Sequence, residues 1–166
     1  MDCYTVFETV WGWVGLAARD GKVRASTLPR RSRDEAVAAL DAGLGGGCVE
    51  DRHAFADVPD RLRAYFSGER IGFDDVEIDL STQPPFIAAV QRAAQRIPYG
   101  AVTTYRDLAR AAGCARGARA AGSAMARNRL PIIVPCHRVV ASNGLGGFGQ
   151  GMEWKRRLLR LEGMDV

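Results

Sequence analysis

Histidine is nearly absent from this chain of 166 residues, with only His53 and His137 present. A site built on several imidazole ligands is therefore excluded. Cysteine is scarce as well: Cys3, Cys48, Cys114 and Cys136 show no CxxC spacing and no disulfide-like pattern. Reduced thiols and no metal site are expected. No apolar run approaches the length of a membrane span. The opening Met1-Asp2-Cys3-Tyr4 lacks a basic region followed by an apolar one, so no signal peptide is expected. Repeats and low-complexity tracts are missing. Apolar content of 47% and charged content of 25% are ordinary for a globular protein. These absences point to a cytoplasmic protein without membrane partner, long enough for one domain or two small ones; a monomer is expected.

Acidic residues are missing from one half only. Residues 1–81 hold 10 Lys+Arg and 15 Asp+Glu, a balance of −5, whereas residues 82–166 hold 13 and 4, a balance of +9. A strongly basic second half is the electrostatic footprint of a nucleic-acid-binding domain. A solvated basic face without partner is the plainer alternative.

The first half reads as strands and short helices. Tyr4–Val10, Trp13–Arg19 and Lys22–Leu28 are rich in β-formers, and Asp20-Gly21 is a hairpin turn. Ser32 caps a helix running to about Asp41, Gly43–Gly47 breaks the chain, and Val58–Phe66 has helical spacing ended by Gly68. Asp74–Leu80 reads as a strand or an extended linker, and Gln83-Pro84-Pro85 marks a boundary. His53 reads as a surface or structural residue. Two domains follow, 1–81 and 82–166.

The second half reads as helical. Phe86–Arg96 places Phe86, Ala89, Val90, Ala93, Ala94 and Ile97 on one apolar face. Thr104-Tyr105-Arg106-Asp107 is a capping-box-like start of a helix that Gly113 stops. A second helix spans about Ala118–Ala126, so the pair is a helix-turn-helix candidate. The small residues Ala118, Ala120, Ala121, Gly122 and Ala124 permit close approach but offer few base-edge hydrogen bonds.

One stretch organises the chain: Pro131-Ile132-Ile133-Val134-Pro135-Cys136-His137-Arg138-Val139-Val140. Bracketed by prolines and short, it reads as an extended, buried segment. A buried thiol alone is a small inert hydrophobe. A cation or a positioned base makes it a nucleophile, and His137 and Arg138 supply both options. On an extended segment Cys136 and His137 face opposite ways, so proton transfer needs a bridging water or a bent backbone.

Pro135-Cys136-His137-Arg138-Val139 resembles the active-site signature of the O6-alkylguanine-DNA alkyltransferases. Ile97-Pro98-Tyr99-Gly100, Thr104-Tyr105, Ala118-Arg119-Ala120-Ala121-Gly122, Asn128 and Leu158-Leu159-Arg160-Leu161-Glu162-Gly163 extend the resemblance over residues 85–166. It implies an α+β fold: a small antiparallel-sheet, RNase H-like N-terminal domain, then a helical, winged helix-turn-helix-like domain carrying DNA-binding and active sites. It implies a partner, double-stranded DNA containing O6-alkylguanine, with O4-alkylthymine as a further substrate. The damaged base must be flipped out before its O6 can be reached, and the alkyl group passes irreversibly to Cys136, one lesion per molecule and with no cofactor required.

The same resemblance implies the roles. His137 acts as base through water and Glu162 orients it, while Asn128 holds the active-site turn; a helix-end salt bridge and a helix C-cap are their plainer readings. Arg119 intrudes into the base stack, or else binds phosphate. Tyr105 helps rotate the nucleotide or donates to guanine N3, or else is a half-buried core tyrosine. Ala118, Gly122, Arg106 and Arg116 complete the DNA face. Met125, Pro131, Val139, Ser142, Phe148, Gly149 and Lys155 join Tyr105 around the substrate, with Lys155 a donor to the leaving guanine or a surface lysine.

Three departures stand out. The loop Gly144–Gly151 is one residue shorter than the family pattern, with Phe148 where tyrosine is usual and Gln150 where glycine is. Arg129 follows Asn128 where proline is usual. Gln91 and Ala94 stand for a customary Trp and Leu. A lesion-binding alkyltransferase-like protein is a second reading, although its relatives lack the acceptor cysteine. A Cys136-dependent enzyme acting on a small molecule is a third.

Overall fold

A computed structural model describes residues 2–44, 46–114 and 117–166. Packing divides them into two compact units within the expected α+β class. One comprises the described residues up to Ile71 with Asp75–Leu80 and Arg129–Pro131; the other comprises Gly72–Asp74, Ser81–Asn128 and Ile132–Val166.

In the first unit β1 (Asp2–Thr9), β2 (Gly12–Arg19) and β3 (Lys22–Ser26) form antiparallel hairpins, and β4 (Val49–Glu50) adds to β1 in parallel, giving the order β3-β2-β1-β4. Asp20 and Gly21 take φ of 50° and 80°, the positive pair of a tight hairpin turn. Strand alternation sends Val6 and Ala17 toward α1 (Arg33–Leu44), where they bury against Ala36 and Leu40. That contact needs Gly15, because a Cβ there would sit 2.6 Å from Leu40 Cδ1. Ser32 Oγ accepts from Glu35 N at 3.2 Å and starts α1 as expected. α2 (Val58–Phe66) buries Leu62, Tyr65 and Phe66. The 74–80 segment is extended rather than a full strand: Val23 N donates to Glu77 O, Asp79 N to Val23 O, and Val23 and Ile78 form a single parallel bridge.

In the second unit α3 (Pro85–Gln95), α4 (Tyr105–Ala111) and α5 (Ala118–Ala126) pack together, with α6 (Met152–Leu161) against the segment after Pro135. Thr104 Oγ1 accepts from Asp107 N at 3.1 Å and caps α4. Two short parallel strands, β5 (Thr103–Thr104) and β6 (Val139–Val140), pair Thr103 with Val139. This ladder ties the start of α4 to the residues just after Cys136.

Two expectations need correction. The buried face of α3 is Ile87, Val90, Gln91 and Ala94; Val90 and Ala94 of the expected stripe lie on it, whereas Phe86, Ala89, Ala93 and Ile97 are only half-buried. The face contains a glutamine, so counting apolar residues leaves Gln91 out. The 131–140 stretch is buried but not extended. Residues 131–134 turn, with Ile132 at φ 75°, and Cys136–Arg138 form a single 3-10 turn before β6. Proline restricts its own φ and disfavours the ladder; here it shapes a turn instead of a strand.

Gln91, 1% exposed, donates from Nε2 to Ala124 O of α5 at 3.0 Å. It replaces packing area by a buried hydrogen bond. Gln91→Leu should strand that carbonyl and cost about 1–3 kcal/mol. Urea unfolding at unchanged m would measure it, and a variant as stable as the parent would show that the bond contributes nothing.

Candidate active site

The bend that brings Cys136 into place is made by backbone groups. Pro135 has φ −78° and ψ 67°, an inverse γ-turn, and Cys136 N donates across it to Val134 O at 2.8 Å. Asn128 Nδ2 donates to the same carbonyl at 2.9 Å. Arg138 N closes the 3-10 turn onto Pro135 O at 2.9 Å. Asn128 thus grips the turn, in addition to ending α5 through its N–H on Met125 O.

The turn aims His137 at Glu162, just past α6. His137 and Glu162 are both buried, and the imidazole Nε2 hydrogen-bonds Glu162 Oε2. Glu162 Oε1 accepts from Arg138 Nε at 2.7 Å and from Gly100 N at 3.2 Å. Arg138 also donates from Nη1 to Ile97 O at 2.6 Å, and its guanidinium lies 5.8 Å from the Tyr99 ring centroid. Tyr99 in turn donates to Leu161 O at 3.2 Å.

Burial would raise the Glu162 carboxyl, but the hydrogen bond and charge of His137 together with Arg138 outweigh it and hold the group at about 2. Burial pushes His137 below its ordinary value, against the pull of Glu162 and with help from the charges of Arg138 and Lys155. A carboxylate already neutralised by Arg138 lets the imidazole rest neutral. Nε2 then carries the proton facing Glu162, and Nδ1 is the atom that can take one up.

Burial also raises the Cys136 thiol; the Asn128 side chain, the backbone N–H groups of Cys136 and His137, and the Lys155 charge work the other way. The cation that favours the thiolate is Lys155, while Arg138 is engaged with Glu162. Lys155 is fully buried and donates from Nζ to Val139 O at 2.7 Å and Gly147 O at 2.9 Å, which removes the surface-lysine reading. Burial lowers its ammonium to about 8 despite the opposing influence of Cys136. Gly147 O also accepts from Tyr105 Oη at 3.2 Å. The adjoining Gly146, at φ 72°, has no room for a side chain: a Cβ would lie 2.9 Å from Tyr105 Cε2.

Cys136, His137, Glu162, Asn128, Tyr105, Val139 and Lys155 are therefore joined by one set of hydrogen bonds and charges. Met125 is buried on α5 and Phe148 is half-buried in the loop, while Ser142 and Gly149 are exposed. Pro131 falls in the first unit, its carbonyl accepting from Ser26 Oγ at 2.9 Å. Ala118 and Arg119 are exposed in the first turn of α5, Gly122 is half-buried behind them, and Arg106 is exposed on α4. Arg116 lies outside the described residues. Sequence reasoning missed Tyr99, Gly100 and the true job of Arg138; the Ile97–Gly100 motif was visible, but nothing local links it to Glu162.

Residues 85–164 match the family described as 6-O-methylguanine DNA methyltransferase, DNA binding domain. A methylated-DNA–protein-cysteine methyltransferase of Metallosphaera sedula is 41% identical over 133 residues, covering 80% of this chain and 83% of that protein. One from Methanopyrus kandleri is 52% identical over 104 residues, 61% and 76% of the two chains. The chain belongs to the methylated-DNA–protein-cysteine methyltransferase family. The fold agrees along nearly its whole length: the crystal structure of Mycobacterium tuberculosis OGT in complex with DNA superposes with a TM-score of 0.76 at 36% identity, over 96% of this chain and 91% of that one.

Glu162 falls from an ordinary 4.5 to about 2, and His137 lies below its ordinary 6.5. Both folded values are depressed, so the unfolded chain binds more protons and stability rises with pH across both windows. Their contribution is complete above an ordinary histidine value of 6.5 and is lost on acidification, through His137 first and then between 4.5 and about 2 through Glu162. Urea midpoints taken through that range should fall steadily. Glu162→Gln should be less stable at neutral pH and flatter below it; an unchanged acid limb would mean that Glu162 is not ionised in the folded protein.

Proposed function

We propose that this methyltransferase repairs O6-alkylguanine in duplex DNA by moving the alkyl group onto Cys136, once per molecule. The observation that carries the reading is Cys136 seated on a bent turn beside a neutral imidazole backed by a buried carboxylate. The thiol proton passes to His137 Nδ1 through a bridging water. The sulfur attacks the alkyl carbon in line, an S–C bond forms as the C–O6 bond breaks, and the guanine left behind takes up a proton. Glu162 stabilises the imidazolium as it forms. A thioether is a poor leaving group, so nothing regenerates the thiol.

DNA is met by the basic second unit. Arg119 leads α5 from a surface of small residues that suits close approach to a groove and reading by shape. Arg119 fills the place of the flipped base, and Tyr105 steers the nucleotide. The protein works in the cytoplasm, on the nucleoid while bound to DNA. Binding without transfer, the alkyltransferase-like alternative, is disfavoured by the presence of Cys136 itself.

Intact mass after incubation with an O6-methylguanine duplex should show one added methyl, mapped to Cys136. Cys136→Ser should keep lesion binding and gain no mass; any methyl on that variant would refute the acceptor role. Arg119→Ala should slow transfer from duplex far more than from the free alkylated base, because only the duplex leaves a gap in its stack. Equal losses on the two substrates would remove Arg119 from the flipping step.

A further inference from the structure

The chain leaves the second unit after Asn128, joins the first for three residues, and returns at Ile132 on its way to Cys136. Within the first unit Ser26 meets this excursion at two points. Ser26, the last residue of β3 and 9% exposed, donates from its backbone N–H to Arg129 O at 2.9 Å and from Oγ to Pro131 O at 2.9 Å. The acceptors are backbone carbonyls, which any residue at 129 supplies, so arginine in place of the usual proline leaves this grip intact. Immediately beyond it Ile132 is held at φ 75°. A buried β-branched residue in the left-handed region is an outlier that persists only where its surroundings over-determine it. Ser26 holds Arg129 and Pro131 just before the strained residue, and Asn128 holds Val134 O just after it.

We infer that Ser26 is a positioning residue for the Cys136 turn: its two hydrogen bonds hold residues 129–131, keep Ile132 in its strained conformation, and so place Cys136 against Asn128 and the N–H groups that favour the thiolate. Ser26 touches neither thiol nor substrate, and its influence travels along the backbone. The inference rests on Cys136 being the reactive thiol of the proposed repair reaction.

Ser26→Ala and Ser26→Thr would be compared with the parent protein in three measurements. These are the pH midpoint of Cys136 alkylation by iodoacetamide, followed by peptide mass; the single-turnover rate from a saturating O6-methylguanine duplex; and the urea midpoint. In Ser26→Ala the alkylation midpoint should move up and transfer should slow by about tenfold, in line with the effect of small displacements of reacting groups. Ser26→Thr, which keeps the hydroxyl, should restore both to within about twofold, a remainder smaller than such displacements produce. If Ser26→Ala does not fold, Ser26→Cys keeps the size with a weak donor and should show the same upward midpoint. A parental midpoint in the variants that lack the hydroxyl, whatever their stability, would overturn the inference and leave Ser26 a purely structural residue. Failure of the parent to accept methyl from DNA would instead sink the repair assignment, while the alkylation midpoint would still judge Ser26.

Discussion

A carboxylate in the interior must be neutralised where it stands, and the arrangement around Glu162 follows from that demand. Taking one partner from a buried ion pair costs about 3–5 kcal/mol. Arg138 supplies the charge, the Gly100 N–H caps the same oxygen, and His137 takes the other one. Arg138 in turn needs acceptors for the rest of its fork, which is why Ile97 O and the Tyr99 ring are gathered at the same place. His137, the proposed base, is thus the last member of a cluster whose other members keep one negative charge indoors. Burial, helped by the charge of Arg138, keeps the imidazole neutral at rest, and the ionised carboxylate lies against it to stabilise the protonated form.

The thiol is governed by a different constraint, the shape of the backbone. Proline at 135 and glycine-like geometry at Ile132 fold the segment back, and Val134 O receives both the Asn128 side chain and the Cys136 N–H. This places Cys136 at the start of a 3-10 turn whose N–H groups face the sulfur. Burial works against the thiolate, so its reactivity depends on these fixed donors and on Lys155. Lys155 also shares Gly147 O with Tyr105, which couples the loop carrying Phe148 to the residue expected to meet the nucleotide. The shortened loop is therefore pinned by its backbone, independently of what Phe148 contributes.

Local chemistry made much of this legible in advance. Strand alternation and the Asp20-Gly21 turn predicted the first three strands, Ser32 and Thr104 predicted two helix starts, and the Pro-Cys-His-Arg stretch, with the motifs that flank it, pointed to the reaction. The strands and helix starts are decided within a few residues, by φ restrictions, capping or side-chain period, so the order of residues suffices, whereas the reaction was implied by resemblance to a known family. The uneven charge likewise needed only counting.

The extended reading of 131–140 failed because an apolar run between prolines is compatible with a strand or a turn, and only a partner for Val134 O chooses between them. Arg138 looked like a companion for the thiol because it is two residues away; the carboxylate that claims it is 24 residues further on. Gln91 was left out of the buried face of α3 because it is polar until α5 offers it a carbonyl, and Lys155 could be a surface lysine until two carbonyls are brought to it. The sequence by itself determined which groups could do the chemistry. The tertiary structure decided which of them are desolvated and which acceptor each donor meets, because burial and long-range hydrogen bonding are properties of packing between segments far apart in the chain.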